Sequence, residues 1–275
     1  MHQVTLISLY GEKSKAFSDL VTAAWEAIEQ SKLRRFFRAY DIRQIHGTFV
    51  GMEKVLGYRR HFNLNLKQSV GELTDMTFDH LRDTVCGKLP MDIQIGGFAP
   101  DFDSFQSMGK KPYVRSFQVQ WRRRKVTLIG WPFETQGDSR SYERTTLLDL
   151  RDDMKRACNI QHKYPRPKYE DNDLFMVIGE LANLQLASDE ELYELEKTVV
   201  PDVEKLIRDH LWANPIIVRL GEQHVFAACY TNETLPLDST EVYSFADGSL
   251  DTTLLNALYV RHPDGIPEHS VPGDD

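Results

Sequence analysis

The sequence predicts an α+β protein, and three observations predict it. Short segments rich in Val, Ile, Phe and Tyr recur along the chain, alternating or unbroken in hydropathy. Between them lie segments with apolar residues at i, i+3, i+4 and i+7, the spacing of amphipathic helices. Strands follow strands nearly as often as they follow helices, so the pattern is not the strict alternation of a parallel α/β sheet.

The elements run as follows. Residues 3–10 (QVTLISLY) form a buried strand ending at Gly11. Residues 13–31 form a helix, with Phe17, Leu20, Val21, Ala24 and Ile28 on one face. Residues 40–52 (YDIRQIHGTFVGM) are a second strand, and 57–71 are polar and irregular. Helical spacing returns over 74–86 through Phe78, Leu81 and Val85. Three strands follow at 91–98, 113–121 and 125–131, the last two joined tightly at WRRRK. Residues 143–158 are a helix carrying Leu147, Leu150, Met154 and Ala157. Prolines 165 and 167 make 162–173 a loop. Residues 173–181 are a strand, and 188–211 a helix kinked or restarted at Pro201. Residues 215–220 and 224–230 bracket Gly221 and read as a hairpin. Periodicity weakens after residue 237, and 262–275 read as a disordered tail.

Composition limits the function classes. Of 275 residues, 33 are Lys or Arg and 41 Asp or Glu, a net charge of −8. That balance argues against coating duplex DNA, because phosphate binding is driven by cations and counterion release. A local basic cleft stays compatible with it. The cations gather at 58–60, 110–111, 122–125 and 163–168. Cys86, Cys158 and Cys229 form no CxxC pair, which argues against a zinc site and fits a reduced cytoplasmic setting. The N-terminal apolar run is short and lacks a leading basic segment, unlike a signal peptide. No run of about 18 apolar residues exists to span a membrane.

The chemistry concentrates at His46 and Thr48. In a strand, residues i and i+2 share a face, so an imidazole and a hydroxyl stand side by side. An imidazole exchanges a proton near neutral pH, and a hydroxyl donates to a phosphoryl oxygen. The plain alternative is a histidine hydrogen-bonded within the sheet. Lys125-Val126-Thr127 repeats the spacing with a cation, and lysine stabilises phosphoryl charge but is a poor acid. Tyr58, Arg59 and Arg60, followed by His61, combine stacking and phosphate-pairing groups, as do Tyr164 through Tyr169. His162 and His224 read as loop or surface histidines. Asp149, Asp152 and Asp153 beside Arg151 read as a solvated helical face. Glu170, Asp171 and Asp173 lack calcium-loop spacing, Gly96, Gly97 and Gly109 make no P-loop, and Ser139 and Ser141 lack a nucleophile elbow. The sequence therefore points to no metal and no cofactor.

In organisation the chain resembles the two-histidine (2H) phosphoesterase superfamily. The resemblance rests on QVTLISLY, the 13–31 helix and His46-Gly47-Thr48, then DIQIGGF, FQVQW and the helix LLDLRDDMKRACN. It continues through the Pro-rich loop, the 173–181 strand, the 188–211 helix, PIIVRL, HVFAACY and Leu235-Pro236-Leu237. It implies a two-lobed fold over residues 1–237, with antiparallel sheets around a central cleft, and a C-terminal extension over 238–275. It implies a phosphodiester of RNA or a (cyclic) nucleotide as ligand, with His46 as acid/base and Thr48 as phosphate donor. The chain departs from the family at the second His-x-Thr/Ser motif: Phe175 stands where the second histidine belongs, and Val177 where the second hydroxyl belongs. Loss of one proton carrier costs about 10² to 10⁴ in rate. Two expectations follow. One is a phosphodiesterase with a single intact motif. The other is a non-catalytic module holding a nucleotide or a protein partner in the inherited cleft.

Overall fold

A computed structural model describes residues 2–136, 139–142, 146–165, 167–168, 170–248 and 250–260. Its strands are β1 (Gln3–Ser8), β2 (Phe37–Ala39), β3 (Gly47–Gly51), β4 (Met91–Ile95), β5 (Phe117–Gln120), β6 (Lys125–Gln136), β7 (Ser139–Ser141), β8 (Leu174–Leu181), β9 (Ile216–Leu220), β10 (Val225–Tyr230) and β11 (Glu241–Ser244). Its α-helices are α1 (Lys15–Glu29), α2 (Leu64–Val70), α3 (Leu81–Cys86), α4 (Pro112–Ser116), α5 (Thr146–Cys158), α6 (Asp189–Glu194), α7 (Val200–Ala213) and α8 (Thr252–Val260).

The strands make one large antiparallel sheet of order β11-β10-β1-β3-β8-β6-β4-β9, with β2 on β8 and β5 and β7 on β6. The chain is thus an α+β protein, as its patterning predicts. Helix α1 follows the predicted face, burying Phe17, Leu20, Val21, Ala24 and Ile28, and Ser14 caps it by accepting from the Phe17 amide. The main core runs beneath the sheet from Leu6 and Val50 to Ile93, Leu150 and Leu211.

The predicted hairpin at Gly221 does not form. β9 pairs only with β4, and β10 pairs with β1 and β11. Six strand gaps separate β9 from β10, about 29 Å across a flat sheet. The link from Leu220 to Val225 reaches at most about 18 Å. The sheet must therefore curl to bring its far strands near each other. His224 sits in this link and accepts from the Gly221 amide through Nδ1.

Other boundaries also shift. The 40–52 segment splits into β2, a 3₁₀ turn at Ile42–Gln44 capped by Asp41, and β3. The irregular 57–71 stretch contains α2, capped by Asn63 and ended by Gly71 at φ 81°. The 74–86 helix shrinks to α3, and the 113–121 strand opens as α4, with Pro112 in its first turn. Before Pro201 the helix passes through a π turn at Leu195–Val199. After residue 237 the chain is built into the domain: β11 extends the sheet. Tyr259 of α8 donates to the Met52 carbonyl at 2.7 Å, and Lys54 donates back to the Tyr259 carbonyl at 2.9 Å. The predicted tail at 262–275 lies outside the described residues. No described helix is long and apolar enough to cross a membrane.

Candidate functional site: a one-sided polar cavity

The site forms at the seam between β3 and β8. Gly47 pairs with Met176, so the middle residues of His46-Gly47-Thr48 and Phe175-Met176-Val177 stand opposite each other. The two triplets are thereby related by a local twofold axis across the seam. Gly47 is required for the close approach: a Cβ there would lie 2.5 Å from Leu174 Cδ1, inside the core.

His46, Thr48, Phe175 and Val177 share the wall of a cavity of about 170 Å³ with Thr5, Tyr40, Glu53, Lys125, Tyr230, Glu233, Thr234 and Leu235. His46 immediately precedes β3, and its Nδ1 lies 3.0 Å from the Gln44 carbonyl. A carbonyl only accepts, so Nδ1 carries the proton and Nε2 keeps its lone pair. Burial pushes the imidazole down to about 4, with Lys13 and Lys125 adding to the effect against the Gln44 hydrogen bond. The ring is therefore neutral at pH 7.

Lys125 pairs with Glu233 at 3.0 Å. Glu53 folds back over Gly51, where a Cβ would meet its Oε2 at 2.5 Å. Its Oε1 accepts from Tyr230 at 3.0 Å and its Oε2 from Asn65 at 3.4 Å. Burial pushes the Glu53 carboxyl up, against these donors and Lys163. Lys163 also acts on Glu233, so the Pro-rich loop sets a cation within electrostatic reach of both carboxylates. Arg123 donates to the Tyr164 hydroxyl at 3.4 Å beside that cation.

Two predicted pieces lie elsewhere. Tyr58 packs edge-on to Phe62 at 5.3 Å, and Arg60 covers Phe62 and donates to Asp75, with the exposed Arg59 between them, away from the cavity wall. Thr127 is fully buried and donates to the Gln118 carbonyl. Against β8 one extra residue, Ile178, falls opposite the Val126–Thr127 step, while β6 stays regular against β5, so Lys125 and Thr127 keep one face but the Thr127 hydroxyl is spent inside the sheet. Lys125 alone reaches the wall.

Behind Phe175 the sheet is covered by aromatics. Phe175 packs on a cluster of Phe98, Ile129 and Trp131 with Phe102, Phe105, Tyr113 and Tyr142. Asp173, at the start of β8, anchors this half. Its carboxylate accepts from Trp131 Nε1 at 2.6 Å, from Ser107 and from Arg115 at 2.5 Å.

Two residues read as surface features are structural. Arg151 is 4% exposed and donates to the carbonyls of Thr48, Phe49, Asp171 and Asp173, tying β3 to the start of β8. His162 is also buried: Nδ1 accepts from the Gly51 amide at 3.3 Å, and Nε2 faces Asp171 at 3.3 Å. Asp171 completes the network with Arg151 at 3.3 Å. Asp171, read from the sequence only as lacking calcium-loop spacing, is thus buried against a guanidinium.

The sequence reading missed Glu53, Tyr40, Tyr230, Thr5 and Glu233. Only Leu235, in the Leu-Pro-Leu segment, carried a usable signal. It is 1% exposed, and its carbonyl accepts from Tyr10 at 3.0 Å. Among the described residues no group of three His, Cys, Asp or Glu is placed to hold a metal ion. Fold and cavity together define an α+β protein with a half-polar, half-apolar seam site. No family model, curated protein or solved structure matches the chain.

Proposed function

We propose that the seam cavity binds a phosphodiester of a nucleotide, in the manner of a 2H-phosphoesterase-like fold that keeps one half of its site, and that it holds this ligand without turning it over. The observation that carries the reading is the register of Gly47 on Met176. It sets an imidazole and a hydroxyl on one side of a local twofold axis and two apolar side chains on the other. In this reading the two lobes meet at the β3–β8 seam, and the cavity is the central cleft.

His46 offers a neutral ring with Nε2 as acceptor, so it would meet a ligand hydroxyl, or a phosphoryl oxygen once the bound anion draws a proton onto the ring. Thr48 would donate to a phosphoryl oxygen. Lys125, Lys13 and Lys163 supply the positive field for an anion. Two features favour binding over catalysis. An imidazole held at about 4 is a weak base and is almost wholly deprotonated at pH 7, so it cannot serve as acid there. Across the axis Phe175 and Val177 carry no proton at all. The cavity is smaller than the roughly 300–1,000 Å³ of drug-sized pockets. It would therefore enclose part of one nucleotide, with the rest of that unit and any longer chain at its mouth.

The test is calorimetric titration with 2′,3′-cyclic nucleotides and cyclic dinucleotides, with product analysis of the same samples. The expected result is binding by the parent, at least tenfold weaker binding by His46→Ala, and unchanged ligand after incubation. Turnover by the parent that His46→Ala abolishes would replace this reading with the enzymatic one. No binding of any of these ligands would remove both.

A further inference from the structure

Glu53 has no place in the chemistry of the His46 half, yet it is built into the cavity wall with care. It is the only carboxylate of that wall not paired with a lysine among the described residues: Glu233 is taken by Lys125, while Glu53 is met by the neutral donors Tyr230 and Asn65. The backbone makes room for it. Gly51 leaves the space its Oε2 occupies, and the Gly51 amide is held by the buried His162. Thr5 pairs with Gly51 and spends its hydroxyl proton on the Val50 carbonyl. Its remaining capacity is as an acceptor. This part of the cavity therefore presents acceptors, whereas the other part presents the imidazole, the Thr48 hydroxyl and Lys125.

We propose that Glu53 reads the Watson–Crick edge of the bound nucleotide's base, and that the base is guanine. This deepens the reading of the cavity as a nucleotide site and rests on it. Two donors already point at the Glu53 oxygens, one on each, a pattern that favours the ionised carboxylate against the burial that pushes it up. A carboxylate accepts and cannot donate. Guanine is the common base whose Watson–Crick edge sets two donors side by side, N1–H and N2–H₂. Adenine and cytosine each pair one amine with a ring-nitrogen acceptor, which a carboxylate repels. Uracil flanks its one N–H with two carbonyl oxygens. A site that leaves a buried carboxylate unmatched against the wrong base rejects that base.

The test is titration of the full-length protein with the 2′,3′-cyclic monophosphates of guanosine, inosine, adenosine, cytidine and uridine. The proposal expects guanosine to bind about 10- to 100-fold more tightly than the others, the discrimination a bidentate base contact carries. Inosine, which lacks only the N2 amine, falls between guanosine and adenosine. Because inosine changes the ligand, that comparison needs no folded variant. Glu53→Gln brings an amide N–H₂ against the guanine donors and is expected to erase the preference. Equal binding of all five ligands, with loss in His46→Ala, would overturn the guanine assignment and leave the phosphodiester site standing. Preference for adenosine would overturn it in favour of a protonated Glu53. Absence of binding by all five would overturn both.

Discussion

The two halves of the β3–β8 seam share one backbone geometry and differ in chemistry. At the start of β3 the triplet is His-Gly-Thr, with His46 just before the strand, and on β8 it is Phe-Met-Val, in register about Gly47 and Met176. The polar half faces a cavity with Lys125 and Glu53. The apolar half backs onto the aromatic cluster around Phe98 and Trp131, where Phe175 serves as one more packed ring. The difference teaches that a sheet register is kept by packing and backbone bonds alone. Side chains on the exposed face can then be recruited to a core or to a ligand. Arg151 shows the backbone part of this, because it donates to carbonyls on both sides of the seam, Thr48 and Phe49 on one and Asp173 on the other.

The comparison can be broken most forcefully at that clamp. Arg151→Ala leaves Asp171 without its guanidinium and strips donors from buried carbonyls of both halves. We expect a loss of about 3–5 kcal/mol in urea unfolding, or failure to fold. A loss under about 1 kcal/mol would show that the halves hold register without it.

The next effect is a pH dependence seated at the same network. Burial pushes His162 down to about 4, helped by Arg151 and opposed by Asp171. The unfolded chain therefore binds a proton that the folded chain refuses between about pH 6.5 and 4. Stability from this group is complete above that window and lost as pH falls through it, by about 3 kcal/mol in all. His162→Gln removes that share of the slope, and unfolding curves at pH 7, 6, 5 and 4 measure it. Asp171, held near 2 in spite of burial by Arg151 and His162, adds its own loss only below about pH 4. An unchanged slope in His162→Gln would contradict the buried, neutral assignment.

Making the halves alike is the third test. Phe175→His with Val177→Thr places a second imidazole and hydroxyl across the axis. The double variant is expected to turn over a 2′,3′-cyclic nucleotide about 100-fold above the parent's background. No gain in a folded double variant would mean that the seam geometry does not support this chemistry. The smallest effect is expected at Gly47→Ala, whose new methyl collides with Leu174. Thermal unfolding should show a loss of about 1–3 kcal/mol.

Much of the fold was legible in the sequence, and the losses have physical causes. Helix α1 was readable because its cap and its buried face are local. The false hairpin at Gly221 came from assuming that neighbouring strands pair, whereas the curl of the whole sheet sends β9 and β10 to different partners. His46 and Thr48 could be paired by strand spacing, and the structure sets both on the cavity wall. Lys125 and Thr127 share that spacing too, but Thr127 is fully buried and spends its proton on the Gln118 carbonyl, which a Lys-x-Thr spacing does not reveal. Arg151 was misread because an arginine beside aspartates looks solvated in sequence, and His162 because a histidine opening a Pro-rich loop does. Their burial depends on β3, whose Phe49 and Gly51 lie 102 and 111 residues away from Arg151 and His162 respectively. Glu53 was invisible for the same reason, since Tyr230 reaches it from the far end of the chain.

The claim that an imidazole meets an anionic phosphate in this cavity is tested most directly by proton linkage. A bound phosphodiester favours the charged ring and raises His46 from about 4. Lys13 and Lys125 oppose that rise, and Glu53 and Glu233 are the cavity's other titrating groups. The measurement is the affinity for 2′,3′-cyclic GMP at pH 7, 6 and 5 in buffers of different ionisation enthalpy, for the parent and His46→Ala. The account predicts that the parent, relative to His46→Ala, binds more tightly as pH falls and takes up protons on binding. The same affinity trend and proton count in both proteins would contradict it.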